Sequence, residues 1–238
     1  MATTPSASTA RRLAKPVSKK TAPKTTQPTR KPGVREQAAM ETQDNILRAA
    51  TRIFAKHGFS GGRVDQISKA AHSYDRMIYY YFGNKEKLFI AVIEDLYRRF
   101  NEAESSLRLD ENQPEASLIA VTDFIWTYYQ NHPEFITLLN DENLHRGKHI
   151  SKSLRAKDYS SPAISILSSI LSKGVAKGIF RADIQARDLY LAIASMNYFY
   201  LSNKHTLSAF LGEKLDSPKS LAHWRAFVVD AILRIVKI

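Results

Sequence analysis

The feature that most constrains this chain is a run of helical periodicity interrupted twice at short range. In residues 41–57, ETQDNILRAATRIFAKH, the side chains Ile46, Ala50, Ile53 and His57 fall on one face, with Leu47 and Phe54 beside them. That is the period of an amphipathic helix. Gly58 follows as a C-terminal stop, because glycine tolerates the backbone that ends helices. Gly61 and Gly62 are turn residues ahead of a short second helix marked by Val64, Ile67 and Ala71. A short third helix runs from Tyr74 or Asp75 to Tyr81. Asn84 caps a fourth, whose Leu88, Val92, Leu96 and Phe100 keep a spacing of four. Only His72-Ser73-Tyr74 separates the two short helices. Two short helices joined so tightly, packed on a longer one, form a helix-turn-helix.

The remainder is helical as well. Pro114 heads a helix to Gln130, and Pro133 heads one to about Leu144. Ser161-Pro162 and Ser217-Pro218 both read as an N-cap followed by proline at the first helical position. They open helices to about Lys177 and Val236, with Ala186 to about Thr206 between them. Only Gly178–Phe180 is ambiguous between turn and strand. The fold class is therefore all-α: a three-helix helix-turn-helix domain followed by a larger helical bundle.

Charge bears on which part meets an anion. The chain of 238 residues has a formal net charge of +12. Residues 1–35 hold nine basic residues and no acid, whereas residues 36–101 carry only +2 and residues 102–238 only +1. The first segment, rich in Ser, Thr, Lys and Arg, has the composition of a disordered basic tail. It also resembles an organellar transit peptide in composition, but Pro5, Pro16, Pro23, Pro28 and Pro32 interrupt every window that an amphipathic helix would need. Cysteine is absent, which excludes disulfides, thiolate metal sites and thiol nucleophiles. No phosphate-cradling glycine motif and no H-E-x-x-H occur, so nothing points to an enzyme. No apolar stretch is long enough to span a membrane, and a cytoplasmic location is expected.

The third helix carries the chemistry. A major groove admits one helix, and this one presents Tyr74, Asp75, Arg76, Met77, Tyr79 and Tyr80, with Ile78 and Tyr81 or Phe82 turned inward. Arg76 suits guanine, because its fork pairs with both acceptors on that edge. Tyrosine hydroxyls and Lys85, at the start of a helix, suit phosphates. Phe54, Gly58-Phe59, Val64, Ile67, Ala71, Ile78-Tyr79-Tyr80-Tyr81-Phe82, Asn84-Lys85-Glu86 and Leu88 together resemble the DNA-binding domain of the TetR/AcrR family of bacterial transcriptional regulators. The resemblance is close over residues 41–95. The family usually has Gly-Val-Ser where this chain has His72-Ser73-Tyr74, so His72 would take a positive φ and Ser73 could cap one residue early. Gly62-Arg63 stand where the family places Ser or Thr on phosphate, and Arg63 can supply that contact with full charge.

Composition assigns a disordered basic tail to 1–38, and the resemblance implies a DNA-binding domain over 39–101 and a ligand-binding and dimerisation domain over 102–238. It implies a homodimeric repressor, associated with the bacterial nucleoid, that grips a quasi-palindromic operator in double-stranded DNA and is released by a small-molecule effector. Candidate effector contacts are Trp126, Tyr129, Phe135, Asn140, Asn143, Met196, Asn197 and Tyr200, since aromatics with a few polar groups make a bundle pocket. The helices from Ser161 to Lys177 and from Ala186 to Thr206 supply faces for a dimer. Asp141, His145 and His149 recur at four-residue intervals, a metal-ligand spacing on a continuous helix. Gly147 weakens the helix there, so neither metal nor cofactor is expected. The alternative function is a nucleoid-like polyanion binder acting through its tail without sequence preference.

Overall fold

Caps and proline starts place most helix boundaries where the period predicts them. The computed structural model describes residues 33–110, 112–155 and 162–238. The basic tail up to residue 32 and the Ser161 cap lie outside the described residues. The helices are α1 (Val34–Gly61), α2 (Val64–Ala70), α3 (Asp75–Phe82), α4 (Lys85–Ser105), α5 (Pro114–Asn131), α6 (Pro133–Leu144), α7 (Pro162–Ala176), α8 (Ala186–Leu211) and α9 (Pro218–Val236). Asn84 caps α4 by accepting the Lys87 N–H at 2.8 Å, and Ser217 caps α9 by accepting the Ser220 N–H at 3.1 Å. The ambiguous segment makes one antiparallel bridge, Phe180 to Lys237.

Three boundaries differ from the sequence reading. Helix α1 begins at Val34 rather than near residue 41, so the proposed tail ending at 38 overruns its first turn. Nothing between Val34 and Met40 breaks a helix, and Glu36 in the first turn favours the positive end of the dipole. Helix α8 continues past Thr206 to Leu211 and stops at Gly212, whose φ is 66°. Gly58 does break α1, at φ 68° and ψ 176°, but one more turn follows to Gly61.

One core runs through both domains. In the DNA-binding head, Ile46, Phe54, Ile67, Ile78, Leu88 and Phe89 are buried to within about one per cent of their surface. Helix α4 then carries the core upward. Its Phe100 meets the rings of Phe124, Tyr128, Tyr129 and Phe135 at centroid distances of 4.9–6.1 Å. Helix α5 packs against α7, α8 and α9, and α6 packs against α1. Residue 101, taken as a domain boundary from the sequence, falls inside α4. The fourth helix belongs to both domains and joins them mechanically.

Candidate nucleic-acid interface

The turn between α2 and α3 is built as its departures from the usual pattern predict, with one exception. His72 takes a φ of 50°, the left-handed conformation ordinarily left to glycine. Ser73 does not cap α3: Tyr74 is the N-cap residue and its side chain makes no capping bond. The phenol has no short oxygen to turn back on the helix start. A different bond fixes the helix instead. The Ser68 hydroxyl, buried on α2, donates to the Asp75 carboxylate at the first position of α3. Asp75, expected to face DNA, thus braces the recognition helix.

The outward face of α3 is open. Tyr74 is 70% exposed, Tyr79 51% and Tyr80 78%, whereas Ile78 is fully buried and Tyr81 and Phe82 are half-buried. The Arg76 guanidinium is exposed and lies 5.2 Å from the centre of the Tyr74 ring, a cation–π contact that pre-orients its fork. Met77 was expected outside. It is half-buried against the core, because it flanks Ile78 on so short a helix.

Two cations flank this face. Arg63, the N-cap of α2, makes a two-pronged pair with Asp65 at 2.9 and 3.0 Å, and both side chains stay largely exposed. That hydrogen bond holds the Asp65 carboxyl below the usual carboxylate range. Lys85 opens α4. Its ammonium lies 4.8 Å from the Phe59 ring centre and donates to the Ser60 carbonyl at 3.3 Å. Partial burial lowers its pKa from the ordinary lysine value.

The end of α6 and the loop after it clamp onto α1 and α4. Asp141 accepts the Phe59 N–H at 2.9 Å, past the Gly58 break. Glu142 is 3% exposed; one oxygen accepts the N–H groups of His149 and Ile150, both at 2.8 Å, and the other lies 2.7 Å from His149 Nδ1. The His149 ring packs 4.3 Å from Phe59 and 4.9 Å from Phe89. The spacing of Asp141, His145 and His149 does not become a row on one helix, because α6 ends at Leu144 and Arg146 and Gly147 leave the helix at φ 57° and 69°. No group of three such ligands stands together among the described residues. Sequence reasoning passed over Ser68 and Glu142. Nothing local marks a hydroxyl whose partner lies across a turn or a carboxylate that closes a loop.

Residues 46–92 match the family described as "Bacterial regulatory proteins, tetR family", and residues 114–232 match "Tetracyclin repressor-like, C-terminal domain". The HTH-type transcriptional repressor NicS of Pseudomonas putida is 53% identical over 206 residues, covering 87% of this chain and 97% of NicS. The chain belongs to the TetR family of bacterial transcriptional regulators. An HTH-type repressor of Streptomyces coelicolor is 29% identical over 160 residues, covering 66% of this chain and 77% of its own. Among solved structures, a TetR-family regulator of Haemophilus influenzae shares the fold with a TM-score of 0.61 at 16% identity, covering 85% of this chain and 100% of that one.

In this TetR-family chain the eight candidate effector contacts do not line one cavity. Trp126, Tyr129, Phe135 and Tyr200 are core, at 2–6% exposure. Tyr200 stacks on Trp224 at 4.8 Å and donates to the Leu215 carbonyl at 2.9 Å. It also floors an open cavity of about 720 Å³ between the end of α8 and the start of α9. Tyr129 and Asn140 line a second cavity of about 300 Å³. Asn140 is held by Ser202 and Tyr198, and exposed Asn143 by the Leu139 carbonyl. The Met196 carbonyl accepts from Trp224. Asn197 is wholly buried, and its Oδ1 has no hydrogen-bond partner. Burial pushes the Tyr97 phenol up to about 12 and raises Tyr129 further, and both feel Tyr190 and Tyr198. A group of phenols therefore meets inside the larger domain.

Proposed function

We propose that this chain is a dimeric repressor that reads a quasi-palindromic operator through α3 and leaves it when a small molecule binds the larger domain. The observation that carries the reading is the outward face of α3. Tyr74, Arg76, Tyr79 and Tyr80 stand in water on a helix whose inner face and start are fixed by Ile78 and the Ser68–Asp75 bond. Large aromatics gain nothing from exposure, so a face of them on a rigid mount fits a partner surface. In this reading Arg76 reads a base edge, and Tyr79, Tyr80, Arg63 and Lys85 position the duplex. The similar proteins named as repressors support the direction of control.

The dimer face is best supplied by α8 and α9. Leu191, Phe199, Phe210 and Leu211 on α8 and Phe227 on α9 are all exposed. Helix α7, expected to contribute, directs Leu167, Ile170 and Leu171 inward and leaves mostly serine outside, so its apolar surface is already used. The effector site is best placed within the larger domain, where the orphaned carbonyl oxygen of buried Asn197 favours a ligand with an N–H or O–H donor.

Footprinting the region upstream of the protein's own gene tests the reading. We expect two protected half-sites about one helical turn apart. An effector should weaken that binding by about 5–150-fold. Equal affinity for that region and for random duplex overturns the proposal.

A further inference from the structure

The connection leaving α6 is a braced strap with a strongly one-sided charge. Residues 143–155 contain Arg146, Lys148, Lys152 and Arg155 and no acid. Its middle is pinned by His149, seated on Glu142 between the Phe59 and Phe89 rings. Its far end is tied to α4, where Lys152 donates to Glu86 at 2.5 Å and the Ser153 hydroxyl donates to Glu94. The Lys152 hydrogen bond holds the Glu86 carboxyl below its usual range, and the charge of Lys148 adds to that. Arg146, Lys148 and Lys152 are nonetheless exposed.

The location gives these charges a meaning beyond solvation. The strap is fastened to Phe59 through the His149 ring and to Glu86 through Lys152. Phe59 lies four residues before Arg63, and Glu86 directly follows Lys85. Those two cations are the proposed phosphate contacts at the edges of the recognition face. The Phe59 ring has His149 4.3 Å away and the Lys85 ammonium 4.8 Å away, so the strap sits beside Lys85 at the start of α4. Helix α1 begins at Val34, roughly 37 Å by helical rise from Phe59.

We propose that Arg146, Lys148 and Lys152 form a second, sequence-blind contact with the phosphate backbone flanking each half-site. This inference rests on the DNA-binding reading above and names a further surface for the same duplex. Lys152 need not abandon Glu86, since an ammonium has three donors and can hold a carboxylate and a phosphate together. Because Glu142 and His149 fix the backbone, the strap loses little freedom on binding.

The test measures the salt dependence of binding by the full chain to two equal-length duplexes, one from the region upstream of its gene and one of random sequence. Each phosphate neutralised contributes about −0.9 to the log–log slope. The Arg146→Gln, Lys148→Gln, Lys152→Gln triple variant should shallow the slope by about 1.8–2.7 per bound protomer, about 3.6–5.4 for a dimer, on both duplexes. Replacing Lys148 and Lys152 by arginine should restore it. Lys148→Gln alone, which breaks no ion pair among the described residues, should shallow the slope by about 0.9 per bound protomer, about 1.8 for a dimer, and guards against a triple variant that folds poorly. Slopes of both glutamine variants that coincide with the parent on both duplexes overturn the strap contact. Failure of the repressor reading shows separately, as a parent protein that binds the two duplexes equally while its slope still responds to the strap.

Discussion

Aromatic side chains meet opposite fates in the two domains. On α3, Tyr74, Tyr79 and Tyr80 are more than half exposed, whereas Trp126, Tyr129, Phe135 and Tyr200 on α5, α6 and α8 are at most 6% exposed. The residue types are alike, so the difference lies in the helices. Helix α3 has eight residues and rests against neighbours along one side, where Ile78 fills the buried position. Helix α5 is packed by α6, α7, α8 and α9 and has little outer face to offer. Trp126, Tyr129 and Phe135 on α5 and α6 are therefore explained by packing, and Tyr74, Tyr79 and Tyr80 are not. The comparison sharpens into an expectation about what each deletion removes. Phe100→Ala should cost about 3–5 kcal/mol in a denaturant titration, because a buried ring leaves a cavity among four others. Tyr80→Ala should change stability by less than about 0.5 kcal/mol while weakening operator binding. A Tyr80→Ala protein with normal DNA affinity and lost stability would reverse the assignment of the two regions.

The junction between the regions should be the next most sensitive place. Glu142→Ala leaves two backbone N–H groups and the His149 ring without their acceptor inside the protein. A loss of about 2–3 kcal/mol is expected in the same titration. Gly58→Ala should follow closely. Its φ of 68° with ψ of 176° belongs to a region almost reserved for glycine, and an added Cβ would meet Asp141 Oδ1 at 2.9 Å. About 1–3 kcal/mol is expected from the backbone alone. If Gly58→Ala instead leaves the melting temperature unchanged, the contact between Asp141 and the end of α1 is not a fixed part of the fold.

How much could be read beforehand follows the same division. Helix starts were legible where a side chain announces them: Asn84, Ser217-Pro218, Pro114 and Pro133. The start of α1 was not, because Gly33 at its N-cap offers no capping side chain and the basic run before it hides the change of texture. The inward and outward sides of α3 were legible because Ile78 alone fixes the phase of so short a helix. The interior of the larger domain was not. Tyr97, Tyr129, Tyr190 and Tyr198 lie on three helices, α4, α5 and α8, and only their packing brings them together. Asp141 likewise finds its partner 82 residues away, which no local period can signal.

On the recognition face itself, single substitutions should move specificity and leave folding alone. Arg76→Ala removes a solvent-facing fork braced only by Tyr74, so thermal stability should hold within about 0.5 kcal/mol. Discrimination at one operator position should fall by about 1–3 kcal/mol, read by competition among single-base variants. A uniform loss over all variants would instead make Arg76 a phosphate contact.

The smallest effect expected is a gain. Asp65 holds the fork of Arg63 in an exposed pair, and an exposed pair contributes little to stability. Its carboxyl is held low, so the pair is present above the ordinary aspartate range and is lost as pH falls through the lowered value. At neutral pH the fork is therefore shared between Asp65 and any phosphate. Asp65→Asn removes the competitor and one repelling charge beside the duplex. Operator binding should tighten about two- to fivefold, the equivalent of an exposed pair's worth, with the unfolding midpoint unchanged. Weaker binding by Asp65→Asn would mean that Asp65 positions Arg63 for the phosphate instead of restraining it. The flank of the head would then be as pre-arranged as α3 and no longer an adjustable edge.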